Sequence, residues 1–276
     1  MKVKTVFLAA LAVVLALPAV SYSQAGNDNP LDPAPSRRQI LIGPTVSVNR
    51  NYHTGGFRTI DDPTCPVFQD GSGWGFGVGL SAEFLPSVNG SWGIIPRITF
   101  EQRPGQFHEE LPDAQVLLPG AGQNGNPVIV EQTVSTTSDI VYTLLNAEVM
   151  YKQELLLLDD LRISVLGGPA FGYVIGGTIR QIQDLETPEN ARFINPTGLP
   201  SENNGRRLIF KDDDIPARNA TRFSLKAGVQ GEFGLFDNQW IMSPGVYYDY
   251  GLTEVTDGEN WNLSSIIFQV DMRRAF

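Results

Sequence analysis

The C-terminal segment of the chain, SSIIFQVDMRRAF, alternates between apolar and polar residues. Counted back from Phe276 in steps of two, one set contains Val270 and Phe268, whereas the other contains Asp271 and Arg273. A period of two is that of a β-strand whose two faces meet different surroundings. The segment therefore predicts a strand with one apolar and one polar face.

Seven further segments show the same alternation. The clearest is WGFGVGLSAEFL, in which Trp74, Phe76 and Val78 share one face and Gly77 and Glu83 share the other. The eight predicted strands are Gln39–Arg50, Trp74–Leu85, Trp92–Arg103, Asp139–Lys152, Leu161–Gly177, Thr221–Gly234, Gln239–Leu252 and Trp261–Phe276. The longest apolar run is at the N-terminus, and no other run approaches the length of a membrane-spanning helix. The pattern predicts an all-β protein.

Charged residues are sorted by face. The more apolar parity of each strand, here called the apolar face, carries only Arg50, Asp139 and Arg274, all near strand ends. The polar face carries Glu83, Arg97, Glu101, Arg103, Glu148, Lys152, Arg162, Arg222, Lys226, Glu232, Asp249, Asp271 and Arg273. Lipid outside a barrel explains this sorting, because an Arg or Lys on the lipid face near the midplane costs about 2–4 kcal/mol. A soluble ligand-carrying barrel, with its apolar face inward, predicts the same alternation.

Loop lengths and aromatic positions favour the membrane. The predicted connections are about 23, 6, 34, 8, 43, 4 and 8 residues long, so long and short mostly alternate, as at the two rims of a transmembrane barrel. Aromatic residues such as Trp74, Trp92, Tyr151 and Trp240 lie at strand ends, where membrane interfaces favour them. We therefore predict an eight-stranded antiparallel up-and-down transmembrane β-barrel with long extracellular loops and short periplasmic turns.

The N-terminus is typical of a secretory signal peptide. Two lysines precede the apolar run Val6–Val20, and small residues suit cleavage after Ser23 or Ala25. The run is shorter than the ~20 residues that a spanning helix needs. The predicted division of the chain is a signal peptide over 1–25, a short periplasmic tail over 26–38 and an outer membrane barrel over 39–276. We expect the protein in a bacterial outer membrane.

Composition excludes several other classes. The formal charge of −10 argues against a nucleic acid partner. A single cysteine, Cys65, rules out an intramolecular disulfide framework. Asp212, Asp213 and Asp214 follow one another without the spacing of a known calcium loop, so we expect a solvated acidic tip. No cofactor, metal site or catalytic residue is predicted.

Several segments resemble a known family. GGPAFGYVIGG, SLKAGVQGEFGL, SPGVYYDYGLTEV and the terminal Phe276 resemble the outer membrane β-barrel domain family of PorT-like proteins, over about Gln39 to Phe276. The architecture is similar to small OmpA- or OmpX-type barrels. The resemblance implies that Phe276 is a membrane anchor and a tag for the barrel assembly machinery, so that this machinery and outer membrane lipid are the expected partners. The alternative is that the chain simply ends on a core residue.

The polar face predicts a narrow, plugged lumen with a structural charge network. We expect one ion pair between Glu83 and Arg97 and another between Glu148 and Arg162, near the periplasmic rim, because buried charges must pair or stay wet. The residues assigned to the network are Glu83, Arg97, Glu101, Glu148, Arg162, Lys226, Glu232, Asp249, Asp271 and Arg273.

The expected function is that of a non-enzymatic outer membrane barrel with a structural, adhesive or partner-binding role at the cell envelope, including a link to secretion. The segment DAQVLLPGAGQNGNPVIVEQTV predicts a hairpin that extends the third and fourth strands, and an unknown extracellular or envelope partner would bind such long loops. The alternative is a barrel-embedded lipid or peptide hydrolase. It requires His53 or His108, both predicted in loops, within hydrogen-bond reach of Ser, Asp or Glu in a shared cleft.

Overall fold

A computed structural model describes residues 40–58, 67–86, 91–120, 124, 126–158, 161–194, 198–235 and 240–275. The predicted signal peptide, the periplasmic tail and Phe276 lie outside these residues. Apart from a 3₁₀ turn at Asn203–Gly205, the regular elements are strands. In this part of the chain no helix has the length and apolar character needed to cross a membrane.

Eight long antiparallel strands form a closed ring. The described residues form eleven strands in all, which are β1 (Ile40–Phe57), β2 (Phe68–Phe84), β3 (Trp92–Leu118), β4 (Val128–Leu158), β5 (Leu161–Asp184), β6 (Arg192–Phe193), β7 (Ser201–Glu202), β8 (Arg207–Asp214), β9 (Thr221–Leu235), β10 (Trp240–Glu254) and β11 (Asn262–Ala275). The ring follows chain order through β1 to β5 and then β9 to β11, and pairing of β11 with β1 closes it. The short strands β6, β7 and β8 belong to the connection between β5 and β9. The predicted eight-stranded up-and-down barrel is confirmed.

The strands are staggered around the ring. A row of paired residues that starts at Ile40 crosses all eight strands and returns to β1 at Arg50, ten residues further along. The row runs through Phe84, Ile94, Tyr151, Gly167, Ala227, Tyr248 and Ile266. Such a stagger tilts the strands against the barrel axis, and with eight strands it leaves an interior that side chains can fill.

The apolar face points outward. Phe76 and Phe268 are 48% and 49% exposed and Leu225 is half-buried on the same parity, whereas Lys226 and Asp271 are buried inside. The soluble alternative, which requires the apolar face inside, is therefore wrong. The exposed apolar surface extends around the barrel and is far larger than the patches on soluble monomers. Its larger members include Val46, Val48, Trp74, Val78, Leu80, Ile98, Phe100, Leu145, Val149, Phe171, Tyr173, Phe223, Val229 and Val246.

Two outward-facing arginines mark the ends of this surface, which we call the apolar belt. Arg50 lies over the ring of Trp74, 5.4 Å from its centroid, and Arg274 is paired in register with Trp240 at the opposite end. Because Arg274 pairs with Ile42 on the neighbouring strand, the two arginines are eight residues of β1 apart, or ~27 Å of strand. With the usual strand tilt this is roughly 20 Å along the barrel axis, close to the ~25 Å apolar band of membrane barrels.

Outward-facing prolines interrupt the ladder at regular places. Pro44, Pro96, Pro169 and Pro244 lie on β1, β3, β5 and β10, at the fifth, fifth, ninth and fifth residue of each strand. Each pairs without a break with the strand that follows it, so the hairpins β1–β2, β3–β4, β5–β9 and β10–β11 are continuous here. On the opposite side of each proline, the pairing with the preceding strand has a gap of two residues without a change of register.

The chemistry of proline accounts for these gaps, because a proline has no N–H to give to a neighbouring strand. The barrel therefore consists of four strand pairs that are continuous at this level and are joined along four seams. We call the rim with the short connections the periplasmic end and the opposite rim the extracellular end, after the predicted orientation. Each seam lacks ladder bonds at one level in the half nearer the periplasmic end. The carbonyl groups that face the prolines have one donor fewer than their neighbours. The seams are consequently the weakest main-chain contacts in the belt.

This arrangement predicts uneven hydrogen bonding of main-chain carbonyl groups. We expect the carbonyls of Ala82 and Met272, which face Pro96 and Pro44, to absorb at a higher amide I frequency than those of Leu80 and Val270, because a proline opposite them has no N–H to donate. Infrared spectroscopy of the protein in detergent micelles, with an isotope label at one carbonyl at a time, would measure these frequencies. Leu80 and Val270 are matched controls because each lies two residues away and faces the same seam. Equal frequencies at all four carbonyls would contradict the seam assignment.

The strands continue beyond the belt on the extracellular side. The predicted hairpin between the third and fourth strands is confirmed, with Leu118 opposite Val128 at its tip. One face of this extension packs on the connection between β5 and β9 through Val116, Val134 and Leu185, a cluster separate from the barrel interior. In the same connection, β8 pairs with the upper half of β5 and so lengthens that wall of the barrel.

Candidate functional site

The lumen holds twelve buried Asp, Glu, Lys and Arg side chains among the described residues, six of each sign. They form three groups of two acids and two bases each. The periplasmic quartet is Glu83, Lys152, Glu232 and Arg273; the central quartet is Arg97, Glu148, Lys226 and Asp271; the extracellular quartet is Glu101, Arg103, Arg222 and Asp249. Each quartet has no net charge, which is what a low-dielectric interior requires of buried ions.

The periplasmic quartet is a closed ring of ion pairs. Lys152 Nζ lies 2.5 Å from Glu83 Oε1 and 2.7 Å from Glu232 Oε2. Arg273 contacts the same two carboxylates, with Nη1 2.6 Å from Glu83 Oε2 and Nη2 3.1 Å from Glu232 Oε1. The four residues come from β2, β4, β9 and β11, so the ring spans the full width of the lumen.

The central quartet is held by one arginine and one lysine. Arg97 places Nη1 2.8 Å from Glu148 Oε1 and Nη2 2.8 Å from Asp271 Oδ2. Lys226 Nζ lies 2.8 Å from Glu148 Oε2 and donates to Gln269 Oε1 at 3.0 Å. The Gln269 amide donates in turn to Asp271 Oδ1 at 2.9 Å, so a side-chain amide completes the ring.

Tyr247 fills the space beside the central quartet. The Arg97 and Lys226 cations lie 5.2 Å and 4.9 Å from the centroid of its ring, which adds cation–π attraction. Its hydroxyl donates to Gln230 Oε1 at 2.7 Å, and the Gln230 amide donates to Glu232 Oε1 at 3.0 Å. Hydrogen bonds therefore connect the central quartet to the periplasmic one.

In the extracellular quartet the ion pairs form an open chain instead of a ring. Arg103 lies between two carboxylates, with Nη2 2.6 Å from Glu101 Oε2 and Nη1 2.6 Å from Asp249 Oδ2. Arg222 Nη1 is 3.0 Å from the same oxygen of Asp249, and its Nη2 donates to the Leu263 carbonyl at 3.0 Å.

A cluster of rings lies above the extracellular quartet, and we call it the aromatic cap. Phe57 stacks on Trp261 with centroids 4.0 Å apart, and Phe107 meets Phe57 edge-on at 4.8 Å. Trp261 Nε1 donates to His53 Nδ1 at 3.2 Å, so this nitrogen accepts and carries no proton. Phe68 packs against Phe57, and all five side chains are buried. The cap and the three quartets together fill the lumen along its axis.

Both ion pairs predicted from the sequence are wrong. Glu148 lies opposite Ala170 and Arg162 lies opposite Leu157, nine residues from Glu148, because β4 continues to Leu158 instead of ending at Lys152. Arg162 is half-buried and forms no ion pair with another described residue.

The second predicted pair fails for a different reason. Glu83 and Arg97 lie on neighbouring strands and face the lumen, but Arg97 contacts Glu148 and Asp271 instead. Glu83 contacts Lys152 and Arg273. In a lumen this narrow, long side chains reach across the axis and are not limited to the nearest strand.

The remaining nine residues assigned to the charge network all lie in the quartets, and Phe276 is outside the described residues. Arg103, Lys152 and Arg222 were omitted from that assignment although they complete the quartets. Their positions on the polar face of the strands already indicated that they belong to the network. His53 and His108 were expected in loops but lie on β1 and β3, whose extracellular parts are too polar to be distinguished from loops by apolar alternation.

Neither histidine meets the requirement of the hydrolase alternative among the described residues. His53 is enclosed in the aromatic cap. His108 Nδ1 lies 3.4 Å from both Ser135 Oγ and Thr137 Oγ1, but these groups are on the exposed surface of the β3–β4 extension and not in a cleft. The residues described here include no group of three His, Cys, Asp or Glu side chains that could hold a metal ion. Asp212, Asp213 and Asp214 end β8, where Asp212 lies 4.0 Å from Arg180.

Outside the barrel, Arg207 forms a bidentate contact with Asp184 at 2.6 and 3.0 Å, which fixes β8 against β5. The hydrogen bond to this carboxylate raises the pKa of Arg207 above its usual range. A second carboxylate, that of Glu202, lies 3.6 Å away. The extracellular connection is thus stabilised by charge pairs of its own.

No family model and no curated protein matches the chain. Among solved structures, the outer membrane protein Ail of Yersinia pestis is 9% identical, with 85% of this chain and 99% of Ail covered and a TM-score of 0.32. Neisserial surface protein A is 10% identical, with 86% and 97% covered and a TM-score of 0.36. These similarities are too low to inform function, so the fold assignment depends on the strand pairing of the chain itself. Membership of the PorT-like family stays a prediction.

The quartets predict a large effect of removing Arg97. Arg97→Gln leaves two buried carboxylates short of a cation, and breaking a buried pair costs about 3–5 kcal/mol. We expect urea unfolding of the protein in lipid vesicles to show a loss of this size, whereas Arg274→Gln on the outer surface changes stability by less than about 1 kcal/mol.

A double variant tests the cause. Arg97→Gln combined with Asp271→Asn removes one charge of each sign, so it should be more stable than Arg97→Gln alone. Equal instability of the single and double variants would show that the shape of Arg97, and not charge balance, is what the lumen requires.

Proposed function

We propose that the protein is a non-enzymatic outer membrane barrel that carries a binding surface at the outside of the cell. The observation that carries this proposal is the combination of an apolar belt outside with balanced charge inside. Lipid offers no hydrogen-bond partners to the main chain, so only a closed ring of strands is stable there. The ring, the belt and the arginines at its two ends fit this environment.

The filled lumen supports a structural or binding role over transport. Three quartets and the aromatic cap occupy the axis from the periplasmic end to the extracellular mouth. A wide aqueous path would need larger diameters, as in barrels of sixteen or more strands. We therefore infer that the barrel holds the extracellular elements in place and does not conduct solutes.

The extracellular part supplies the binding surface in this proposal. The β3–β4 extension and the connection between β5 and β9 pack on each other through Val116, Val134 and Leu185, which gives them a defined shape. Adhesion, partner binding and a contribution to secretion, as in PorT-like proteins, all fit a shaped surface on a plugged barrel. An enzymatic role is not favoured, because the described residues bring no base and nucleophile together in a cleft.

Fractionation and conductance test the proposal together. We expect the protein in the outer membrane fraction, with a mobility on gels that changes on heating because a folded barrel resists detergent. In planar lipid bilayers we expect no stable single-channel conductance, whereas a known sixteen-stranded porin serves as the positive control. Recovery in the soluble periplasm would refute the membrane assignment, and steady ion channels would refute the plugged lumen.

The separate packing of the extension predicts that it is dispensable for the barrel. Replacing residues 114–132 by a two-residue Asn-Gly turn should leave heat-modifiable migration intact and change the free energy of unfolding by less than about 1 kcal/mol, because none of the quartet residues lies in the deleted segment. A control deletion of the same length within β4, over residues 136–154, should abolish folding. Failure of the first variant to reach the outer membrane would show that the extension is part of the barrel's own stability.

A further inference from the structure

A polar depression lies on the outside of the barrel immediately above the apolar belt. It has a volume of about 340 Å³, and besides His53 and Gly71 it is lined on β1, β2 and β3 by Tyr52, Thr54, Asp70, Ser72 and Gln106. The outward parity of these residues continues that of the belt, since Arg50 is paired with Trp74, Tyr52 with Ser72 and Thr54 with Asp70. In the proposed orientation this level is the boundary between the outer leaflet and the cell exterior.

Arg50 connects the belt to the floor of this depression. Its guanidinium lies over Trp74 at 5.4 Å, and Nη2 donates to Ser72 Oγ at 2.7 Å. Ser72 lines the depression, so the cation reaches its lower edge. Among the described residues the other N–H groups of Arg50 make no further side-chain hydrogen bond. A half-buried guanidinium held by an aromatic ring suits a bidentate contact with a phosphate.

The remaining lining groups suit sugar hydroxyls. The Asp70 carboxylate accepts hydrogen bonds, and the hydroxyls of Tyr52, Thr54 and Ser72 both donate and accept. The Gln106 amide donates to Asp139 Oδ1 at 2.8 Å, which fixes its orientation and leaves its carbonyl oxygen as an acceptor. The Arg50 cation, the carboxylates of Asp70 and Asp139 and several hydroxyls lie together here, and this combination matches a phosphorylated sugar better than a phosphate alone.

Directly below Arg50 and Trp74, exposed apolar side chains form a continuous strip on β1 and β2. Its members are Val46, Val48, Phe76, Val78 and Leu80. A molecule whose sugar phosphate occupied the depression would place acyl chains along this strip. This continuity favours a lipid over a soluble sugar phosphate as the ligand.

We propose that this depression binds the phosphorylated sugar headgroup of an outer-leaflet glycolipid, with Arg50 on the phosphate and Asp70 on sugar hydroxyls. The inference rests on the proposed membrane location. It adds a lipid site on the outer wall, which is separate from the extracellular surface suggested for a protein partner.

Native mass spectrometry of the full protein in detergent tests the site, with bisphosphorylated lipid A, dephosphorylated lipid A and phosphatidylglycerol as probes. We expect bisphosphorylated lipid A to bind most tightly. Arg50→Gln should weaken it about tenfold, as loss of a charge-assisted hydrogen bond does. Asp70→Asn should weaken both lipid A forms. Arg274→Gln, the outward-facing arginine at the other end of the belt, is the matched control and should have no effect.

Inorganic phosphate distinguishes a lipid from a free anion. At millimolar concentration it should not displace bisphosphorylated lipid A, and displacement would overturn the assignment to a lipid. Equal binding of phosphatidylglycerol, or equal effects of Arg50→Gln and Arg274→Gln, would overturn the site itself. Fractionation and heat-modifiable migration of Arg50→Gln are measured in parallel, because they report on the barrel and its location independently of lipid binding.

Discussion

The structure depends on one constraint, which is that every main-chain hydrogen bond in the belt must be made between strands. In apolar surroundings, the edge of a sheet would leave main-chain N–H and C=O groups without hydrogen-bond partners. Pairing of β1 with β11 removes this edge. Closure with eight strands and a ten-residue stagger then sets the diameter. Because the outward parity is apolar between Arg50 and Arg274, the charged side chains of this part of the wall point into the same narrow space, where each must find a partner.

Charge balance inside follows from that confinement. A buried ion loses its hydration, and its partner's attraction offsets this loss only when the contacts are close and the remaining polar atoms are bonded. The quartets supply the close contacts with two acids and two bases each, and the Gln230 and Gln269 amides add hydrogen bonds to carboxylates of the periplasmic and central quartets. Asp249 Oδ1, Arg222 Nε and Arg273 Nε have no hydrogen-bond partner among the described residues, so the polar groups are bonded only in part. The interior is therefore better described as three neutral layers than as a set of separate salt bridges.

The alternation along the chain was sufficient to predict the strand number, the two faces and the outward position of Phe76 and Phe268. It was not sufficient to predict which charges meet. Partners such as Arg97 and Asp271 are 174 residues apart in sequence, and their contact depends on stagger and diameter, which single strands do not encode. Several strands are also longer than predicted, because their outer parts no longer alternate between apolar and polar residues. Beyond the belt the walls contact water on the outside, so the apolar signal stops before the strands do, and His53 looked like a loop residue.

The prolines determine where the ring has fewer main-chain hydrogen bonds. Proline is ordinarily excluded from central strands, because its missing N–H breaks a ladder. Here Pro44, Pro96, Pro169 and Pro244 all direct that deficit to the seam between hairpins, and none directs it within a hairpin. The pairs linked through the extracellular rim therefore keep their full set of bonds at this level, whereas the reduced bonds lie between strands linked by the short connections and between β11 and β1. The periplasmic and central quartets compensate at these seams. Lys152, Glu232 and Arg273 reach across the lumen between hairpins, so ion pairs inside hold together what the ladder outside joins less tightly.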